Sequence, residues 1–402
     1  MKRVSVIGGG LAGLACALRL AKGGIEPRVF EASDGVGGRV RTDRVDGFQL
    51  DRGFQVYLSA YPEAARLLDL EALDLRRFRA GALIFRNGKR QWLMDVFRHP
   101  QHLLSSALAP VGTMLDKLRV VKLRFKRPEP SSADRTTEDF LRDHGFSERM
   151  IDGFFRAFYG GIFLERDLRT SSRMFEFTFR MFSEGFATLP ADGMQAIPDQ
   201  LAAQLPRGSL RLNAAVYAVE PRAITLESGE RIAADAVVVA TDAGTAERLL
   251  PGLNAQNVAW RSVTGVYFSA PESPLREPII ALNGGPGLVN NVCVLSDIAP
   301  SYAPEGKSLV SVSVLGLPEL ENLEALVRAE LETWFGPQVH QWSHLRTYQI
   351  PRALPEQAAT PMRNGVQQHN GIFICGDHCR SASIEGAVIS GMETAGLILK
   401  LP

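Results

Sequence analysis

The stretch VSVIGGGLAGLACALRL, residues 4–20, changes character twice within a few residues. Residues 4–7 are short and β-prone, Gly8, Gly10 and Gly13 give the spacing GxGxxG, and residues 11–20 carry helical apolar spacing without a breaker. Strand, tight turn and helix therefore follow in the order a dinucleotide site needs. Gly8 lets the chain turn, Gly10 lets backbone come close to a pyrophosphate, and Gly13 lets the helix pack on the strand. The free N–H groups and dipole at the helix start then favour an anion.

Glycines alone carry little weight, but a second strand at 27–30 ends in Glu31, 18 residues beyond Gly13. A carboxylate there is placed to accept from ribose hydroxyls and opposes a 2′-phosphate, which disfavours NADP. The first 24 residues also have the basic start and apolar run of a secretory signal. The glycine spacing, and the acidic, β-prone sequence where a cleavage site would stand, argue against that reading.

A chain of 402 residues is long for one hydrophobic core, so two structural units are expected. The 45 Lys+Arg against 44 Asp+Glu leave a net charge of +1, so no global field recruits nucleic acid, and no such partner is expected. Four scattered cysteines give neither a disulfide framework nor a CxxC zinc pair, and no metal is expected. They fit a reducing cytosol, so the expected location is cytoplasmic. Residues 99–128, with Lys117, Arg119, Lys122, Arg124, Lys126 and Arg127 among apolar residues, suit either peripheral contact with a membrane or a solvated helix face.

Further along, residues 60–70 read as a helix and 80–92 as a hairpin turning at Asn87 and Gly88, while Thr136 or Thr137 caps a helix. The aromatic-rich runs 150–163 and 174–186 could line an apolar cavity or form core. Short strands fill 210–240, and alternating segments in 260–316 read as a second sheet. A helix is expected over 320–335, and the prolines of LRTYQIPRALPEQ forbid a long helix after it. Near the end, GIFICGDHC (371–379) is a strand running into a turn, and SIEGAVISG (383–391) starts a helix capped by Ser383. Gly386 and Gly391 are poor helix formers, so they imply close packing against something flat.

GGGLAGL, Glu31, GGRVRT at 37–42, and Asp51 and Gly53 of LDRGFQ together resemble the N-terminal FAD-binding region of the flavin amine oxidase and phytoene desaturase superfamily, which includes protoporphyrinogen oxidase-like members. The resemblance implies FAD as cofactor, and an α/β, two-domain architecture. A Rossmann-like FAD-binding domain would be discontinuous, built from 1–75, 190–258 and 345–402, with an inserted substrate domain of mixed sheet plus helices from 76–189 and 259–344. Cofactor contacts are implied at Gly8, Gly10, Leu11, Ala12, Gly13 and Glu31, and at Gly38, Arg39, Gly53 and Phe54. Arg39 and Arg41 would offer guanidiniums to the ligand. Val216 would present its backbone to the adenine, and ADAVVVATDA would run beside the cofactor. In the closing motif, Gly376, Asp377, Ser383, Ile384, Glu385 and Ala387 would hold the ribityl chain and the pyrimidine edge of the flavin, where a helix N-terminus stabilises the negative charge of the reduced ring.

A flavin does redox chemistry itself while the protein orients and tunes it, which accounts for the lack of an acid–base pair or triad in the sequence. Gln55, Tyr57 and Tyr348 lie near positions that face the flavin in relatives, and His378 is a candidate proton relay or a structural histidine. Cys379 is a candidate for a covalent flavin link, with a packed thiol the favoured reading. Amine oxidases commonly carry an aromatic before EGA, where this chain has Ser383 and Ile384, and a lysine in the strand matching TGVYFSA, which has none. SIEGA looks like the carotenoid and squalene-type desaturases. The expected activity is dehydrogenation or desaturation of a small apolar, isoprenoid- or carotenoid-like substrate, with hydride passing to flavin N5 and then to oxygen or a quinone. The alternatives are a flavin amine oxidase, a protoporphyrinogen-type oxidase, or a non-catalytic FAD-binding protein.

Overall fold

In a computed structural model, which describes residues 2–86, 88–95, 97–99, 111–125, 134–253, 258–358 and 367–401, the opening β-prone run becomes the strand Arg3–Ile7 and the helical run becomes Leu11–Lys22. The strand sits inside a six-stranded sheet ordered Leu210–Arg211, Glu26–Phe30, Arg3–Ile7, Ala236–Val239, Ile372–Ile374, Gln367–His369. The first five strands are parallel and the last pairs antiparallel. Val237, Val238 and Val239 are wholly buried, the continuous apolar run expected of a strand covered on both faces. Strands from the two ends of the chain and from its middle thus share one sheet.

A second sheet has seven strands, ordered Ser343–Pro355, Trp260–Ala270, Ser308–Leu315, Val289–Val294, Ile280–Asn283, Gly81–Arg86, Lys89–Met94. It is antiparallel except between 280–283 and 81–86. Pro351 and Pro355 fall in its edge strand, where a missing N–H breaks no internal ladder. One face packs on the helix Leu323–Phe335 through Val327 and Leu331. The other meets the helix Arg156–Phe163, and Met174 and Phe175 of the helix Ser172–Glu184 join the same apolar cluster. This mixed sheet with helices beside a parallel sheet is the α/β architecture expected.

Several local readings need adjustment. The helix expected at 60–70 is the shorter Pro62–Leu67, and Thr136 is the residue that caps Thr137–Asp143, accepting from Asp139 N–H. The hairpin pairs Gly81–Arg86 with Lys89–Met94 and has Gly88 at φ +69°, while Asn87 lies outside the described residues. Of the basic segment 99–128, the helix Met114–Phe125 is described, and 100–110 with Lys126 and Arg127 lies outside.

Two contacts tie the parts together. The closing helix Ile384–Ile398 crosses Leu11–Lys22 so closely that a Cβ on Gly391 would lie 2.1 Å from the Ala12 carbonyl oxygen. Gly391 therefore answers to a helix backbone, and Gly386, whose Cβ would lie 1.9 Å from the Ser381 carbonyl oxygen, answers to its own cap. Neither faces a flat ligand. The second contact is the buried Asp51. Its carboxylate accepts from Thr42 Oγ1 (2.5 Å), Met194 N–H (3.1 Å) and Tyr302 O–H (3.0 Å), and its carbonyl accepts from Tyr267 O–H (2.7 Å). Burial outweighs these bonds and pushes the Asp51 carboxyl up to about 6.

Two expectations follow. Gly391→Ala meets a carbonyl that cannot yield and lowers stability by about 1–3 kcal/mol. Gly396→Ala in the same helix meets only the mobile Arg19 guanidinium at 3.3 Å, and is neutral or stabilising; urea unfolding of both variants checks the contrast. For Asp51, a folded-state pKa above the ordinary carboxylate value adds stability below pH 4 that is lost as pH rises through about 6, roughly 3 kcal/mol in all. The Asp51→Asn protein lacks that component, so its unfolding free energy falls less than the wild type's between pH 4 and 7.

Candidate functional site

A cavity of ≈ 1300 Å³ opens between the two sheets, larger than the roughly 300–1000 Å³ of a single-ligand pocket. It has room for a dinucleotide and a second molecule. One end is made by the first motif. Gly8 (φ +108°) has no room for a side chain, since a Cβ would sit 2.6 Å from the Ala240 carbonyl oxygen. Gly10 forms the N-cap of Leu11–Lys22 with no side-chain cap and no acid in the first turn, and its Cβ position is open. The first N–H groups of the helix are therefore left for an anion. Gly13 lies behind the wall, where its Cβ would approach the Gly8 carbonyl oxygen at 2.0 Å.

Glu31 lines the cavity at the end of its strand. Its Oε2 accepts from Gly9 N–H (2.7 Å) and its Oε1 from the Ser33 N–H (2.9 Å) and hydroxyl (2.7 Å), which fixes the carboxylate at the turn. Leu11, Ala12, Gly38 and Val216 line the same end. These features fit the pyrophosphate and ribose of a dinucleotide: an uncapped helix start, a glycine cradle and an oriented acid.

The arginines behave differently from expectation. Arg39 lines the cavity, but its Nη2 donates to Asp377 Oδ1 (2.6 Å) and its Nη1 to the Ala353 carbonyl (3.1 Å). Arg41 does not line it and pairs with Asp34 (2.9 Å). The guanidiniums hold the protein's own acids, and Arg39 ties the first motif to the last. Gln55 likewise lines the cavity with its amide committed, donating to the carbonyls of Arg39 (2.8 Å) and Arg52 (3.1 Å). Gly53 (φ +87°) and Phe54 lie beside it.

The last motif supplies the opposite wall. Gly376, Asp377, Ser383, Ile384 and Ala387 line the cavity, and Ser383 Oγ accepts from Gly386 N–H at 2.9 Å. Glu385 does not reach it. The side chain turns away and caps the helix Pro62–Leu67, accepting from Glu63 N–H (2.8 Å) and Ala64 N–H (2.9 Å), while burial pushes its carboxyl up. Tyr57 and His378 are also absent from the wall. Tyr57 is core, edge-on to Tyr61. The His378 ring is buried with no hydrogen bond from either nitrogen among the described residues, and burial holds its pKa below the ordinary value, so it is neutral. Cys379 is buried and in no disulfide.

Tyr348 lines the cavity from the second sheet. Its hydroxyl donates to Asp43 Oδ2 (2.7 Å), and burial pushes it up to about 12, so it stays protonated. Burial also acts to raise the Asp43 carboxyl, but the bonds from Arg52 and Tyr348 outweigh it and hold the group below the ordinary range. All four described aspartates in the wall are ion-paired with arginines: Asp43 with Arg52 (2.9 Å), Asp95 with Arg124 (2.9 Å), Asp242 with Arg352 (3.0 Å) and Asp377 with Arg39 (2.6 Å). The sequence named Arg39 and Asp377 as cofactor contacts and Arg124 within a basic segment but gave none of these pairings, and it did not single out Asn291 and Ser313, which also line the cavity. Each is an unremarked polar residue until the sheets meet.

Beyond the cofactor end the wall is aromatic. Phe154, Phe158, Phe179 and Phe182 line it, with Phe154 and Phe158 stacked at 5.3 Å. Phe163 and Phe175 from the same runs are core. The runs thus contain both of the roles weighed from sequence, divided by helix face.

The family described as flavin containing amine oxidoreductase matches residues 11–399. The chain is 24% identical to the 15-cis-phytoene desaturase of Synechococcus elongatus over 99% of this chain and 96% of that one. It is 30% identical to protoporphyrinogen oxidase 2 of Arabidopsis thaliana, but over 40% of this chain and only 32% of that protein's length. Among solved structures, an oxidoreductase from Methanosarcina mazei superposes with a TM-score of 0.76 at 20% identity, covering 97% of this chain and 99% of that one. With the family match running through both walls of the cavity, the chain belongs to the flavin containing amine oxidoreductase family and is a flavin-dependent oxidoreductase.

Proposed function

We propose that the protein binds FAD and dehydrogenates a neutral, apolar, isoprenoid-like molecule. The carrying observation is the committed state of every described aspartate in the cavity wall, set against the aromatic surface of Phe154, Phe158, Phe179 and Phe182. An ammonium group entering this cavity finds each of these aspartates already paired with an arginine, and the ring faces alone return only part of the hydration it loses. An apolar chain gains by burying its surface against the rings.

In this reading Gly8, Gly10 and the first turn of Leu11–Lys22 hold the pyrophosphate, Glu31 the ribose hydroxyls and Val216 the adenine. Asp377, Ser383, Ile384 and Ala387 hold the flavin end. The bound flavin supplies a two-electron acceptor. The chain's own contribution is placement and exclusion of water: the phenylalanines fix the substrate, and Tyr348, protonated and tied to Asp43, keeps its position without titrating. Support from relatives is the full-length similarity to a phytoene desaturase.

Anaerobic mixing of the purified flavoprotein with a polyene or terpenoid, a porphyrinogen and a set of amines tests this reading. The terpenoid or polyene should bleach the flavin band. Bleaching by amines or a porphyrinogen but not by terpenoids supports the corresponding oxidase instead, and reduction by dithionite alone supports a non-catalytic flavin.

We also propose that the cavity mouth rests on an anionic lipid surface. The helix Met114–Phe125 exposes Leu115 (61%), Leu118 (62%) and Phe125 (71%) beside basic side chains, and Met114, Lys117 and Leu118 also border the cavity. No helix among the described residues is long and apolar enough to cross a membrane. Such an amphipathic face suits shallow insertion. Sedimentation with phosphatidylglycerol-containing vesicles should capture the protein, and Leu115→Asp with Leu118→Asp should release it; failure of the wild type to sediment contradicts the proposal.

A further inference from the structure

One row of residues crosses the second sheet beneath the cavity. Tyr348 lies opposite Gly265, Gly265 opposite Ser313, Ser313 opposite Asn291, and Asn291 opposite Leu282. Tyr348, Ser313, Asn291 and Leu282 line the cavity. With neighbouring strands about 4.8 Å apart, Ser313 stands about 10 Å from Tyr348 across the sheet. Gly265 lies between them, its Cβ position 3.7 Å from the Gly53 Cα.

The polar pair is a built feature. Between Val289 and Asn291 the register shifts, so Asn290 is an extra residue in its strand, a β-bulge. Val289 and Val292 pack into the core beneath the sheet, while Asn290 and Asn291 bond on the side of the helix Arg156–Phe163. That helix meets them with glycine. A Cβ on Gly161 would lie 2.9 Å from Asn290 Nδ2 and 3.3 Å from Asn291 Oδ1. Adjacent glycines, Gly160 and Gly161, are otherwise unfavourable inside a helix.

The directions of the hydrogen bonds follow from one fixed group. The Ala157 carbonyl can only accept, so the Asn290 atom 3.2 Å from it is Nδ2. The same nitrogen lies 3.0 Å from Asn291, which must present Oδ1 there. Asn291 Nδ2 therefore faces Ser313 Oγ at 3.3 Å and donates to it. With its oxygen accepting, the Ser313 hydroxyl has its proton to give, and no acceptor for it is found among the described residues. Asn290 Oδ1, in a side chain with no solvent exposure, also has no partner among them. A buried polar chain ending on an unused donor is costly unless a ligand completes it.

We infer that Ser313, oriented by Asn291 and Asn290, donates a hydrogen bond to an acceptor oxygen on the substrate, so that the enzyme selects an apolar molecule bearing an alcohol, ether or carbonyl oxygen over the bare hydrocarbon. This rests on the apolar-substrate reading above and adds its specificity element. The oxygen is held about 10 Å across the sheet from Tyr348, which sets the register of the chain in the cavity.

Three probes of one carbon skeleton test it: farnesol, farnesyl methyl ether and β-farnesene, titrated into the flavoprotein with the dissociation constant read from perturbation of the flavin spectrum. The ether only accepts, so it should bind as well as the alcohol, and both about tenfold more tightly than the hydrocarbon, the worth of one neutral hydrogen bond. In Ser313→Ala the two oxygenated probes should fall to the level of β-farnesene, whose own constant is unchanged, and Ser313→Thr should restore the difference. Equal binding of all three to the wild type, or a preference that survives Ser313→Ala, overturns the inference and leaves the apolar cavity standing. Binding of none overturns both.

Discussion

The contact between Gly391 and the Ala12 carbonyl governs the rest of the molecule. It lets the last helix lie directly on the first, and each helix then delivers its N-terminus to the same cavity. The two starts are treated differently. Gly10 leaves the first helix uncapped, as a multiply charged anion requires, whereas Ser383 caps the last with a neutral hydroxyl. A single approach distance thereby joins two anion-favouring ends that are more than 370 residues apart in the chain.

Around that crossing, the charged residues mostly serve the frame. Arg39 joins Asp377 from the opposite end of the chain, and Glu385 caps a helix at Glu63 and Ala64. Paired and hydrogen-bonded charges hold the walls in place and leave the space between them apolar. On the proposed reading the cavity discriminates by shape, by aromatic surface and by a few neutral donors. That division suits a cofactor that carries its own reactivity.

The fold was legible where local pattern and tertiary demand agree. Residues 4–20 show strand, turn and helix because the glycine spacing answers to local geometry as well as to the ligand. The closing helix was legible for the same reason, through its serine cap. What the sequence hid was direction. Glu385 sits within a motif whose neighbours line the cavity, but its side chain leaves by the other face of the helix. Arg39 and Arg41 have the charge for phosphates, yet Asp34 claims Arg41 across one turn of chain, and Asp377 claims Arg39 once the two ends meet. Gly391 announced close packing correctly, and its partner proved to be backbone. Asn291 and Ser313 read as ordinary strand residues, because a bulge leaves no mark in the sequence.

The two ends of the chain are proposed to build one flavin site whose outer half is apolar. A crystal structure of the FAD-loaded protein tests it most directly. One FAD per chain is expected, with its pyrophosphate at Gly8 and Gly10, its ribose at Glu31 and its ring system at Ser383, Ile384 and Ala387, leaving the space beside Phe154 and Phe179 for substrate. A flavin that touches only the first helix, or a ring system lying among the phenylalanines, would contradict it.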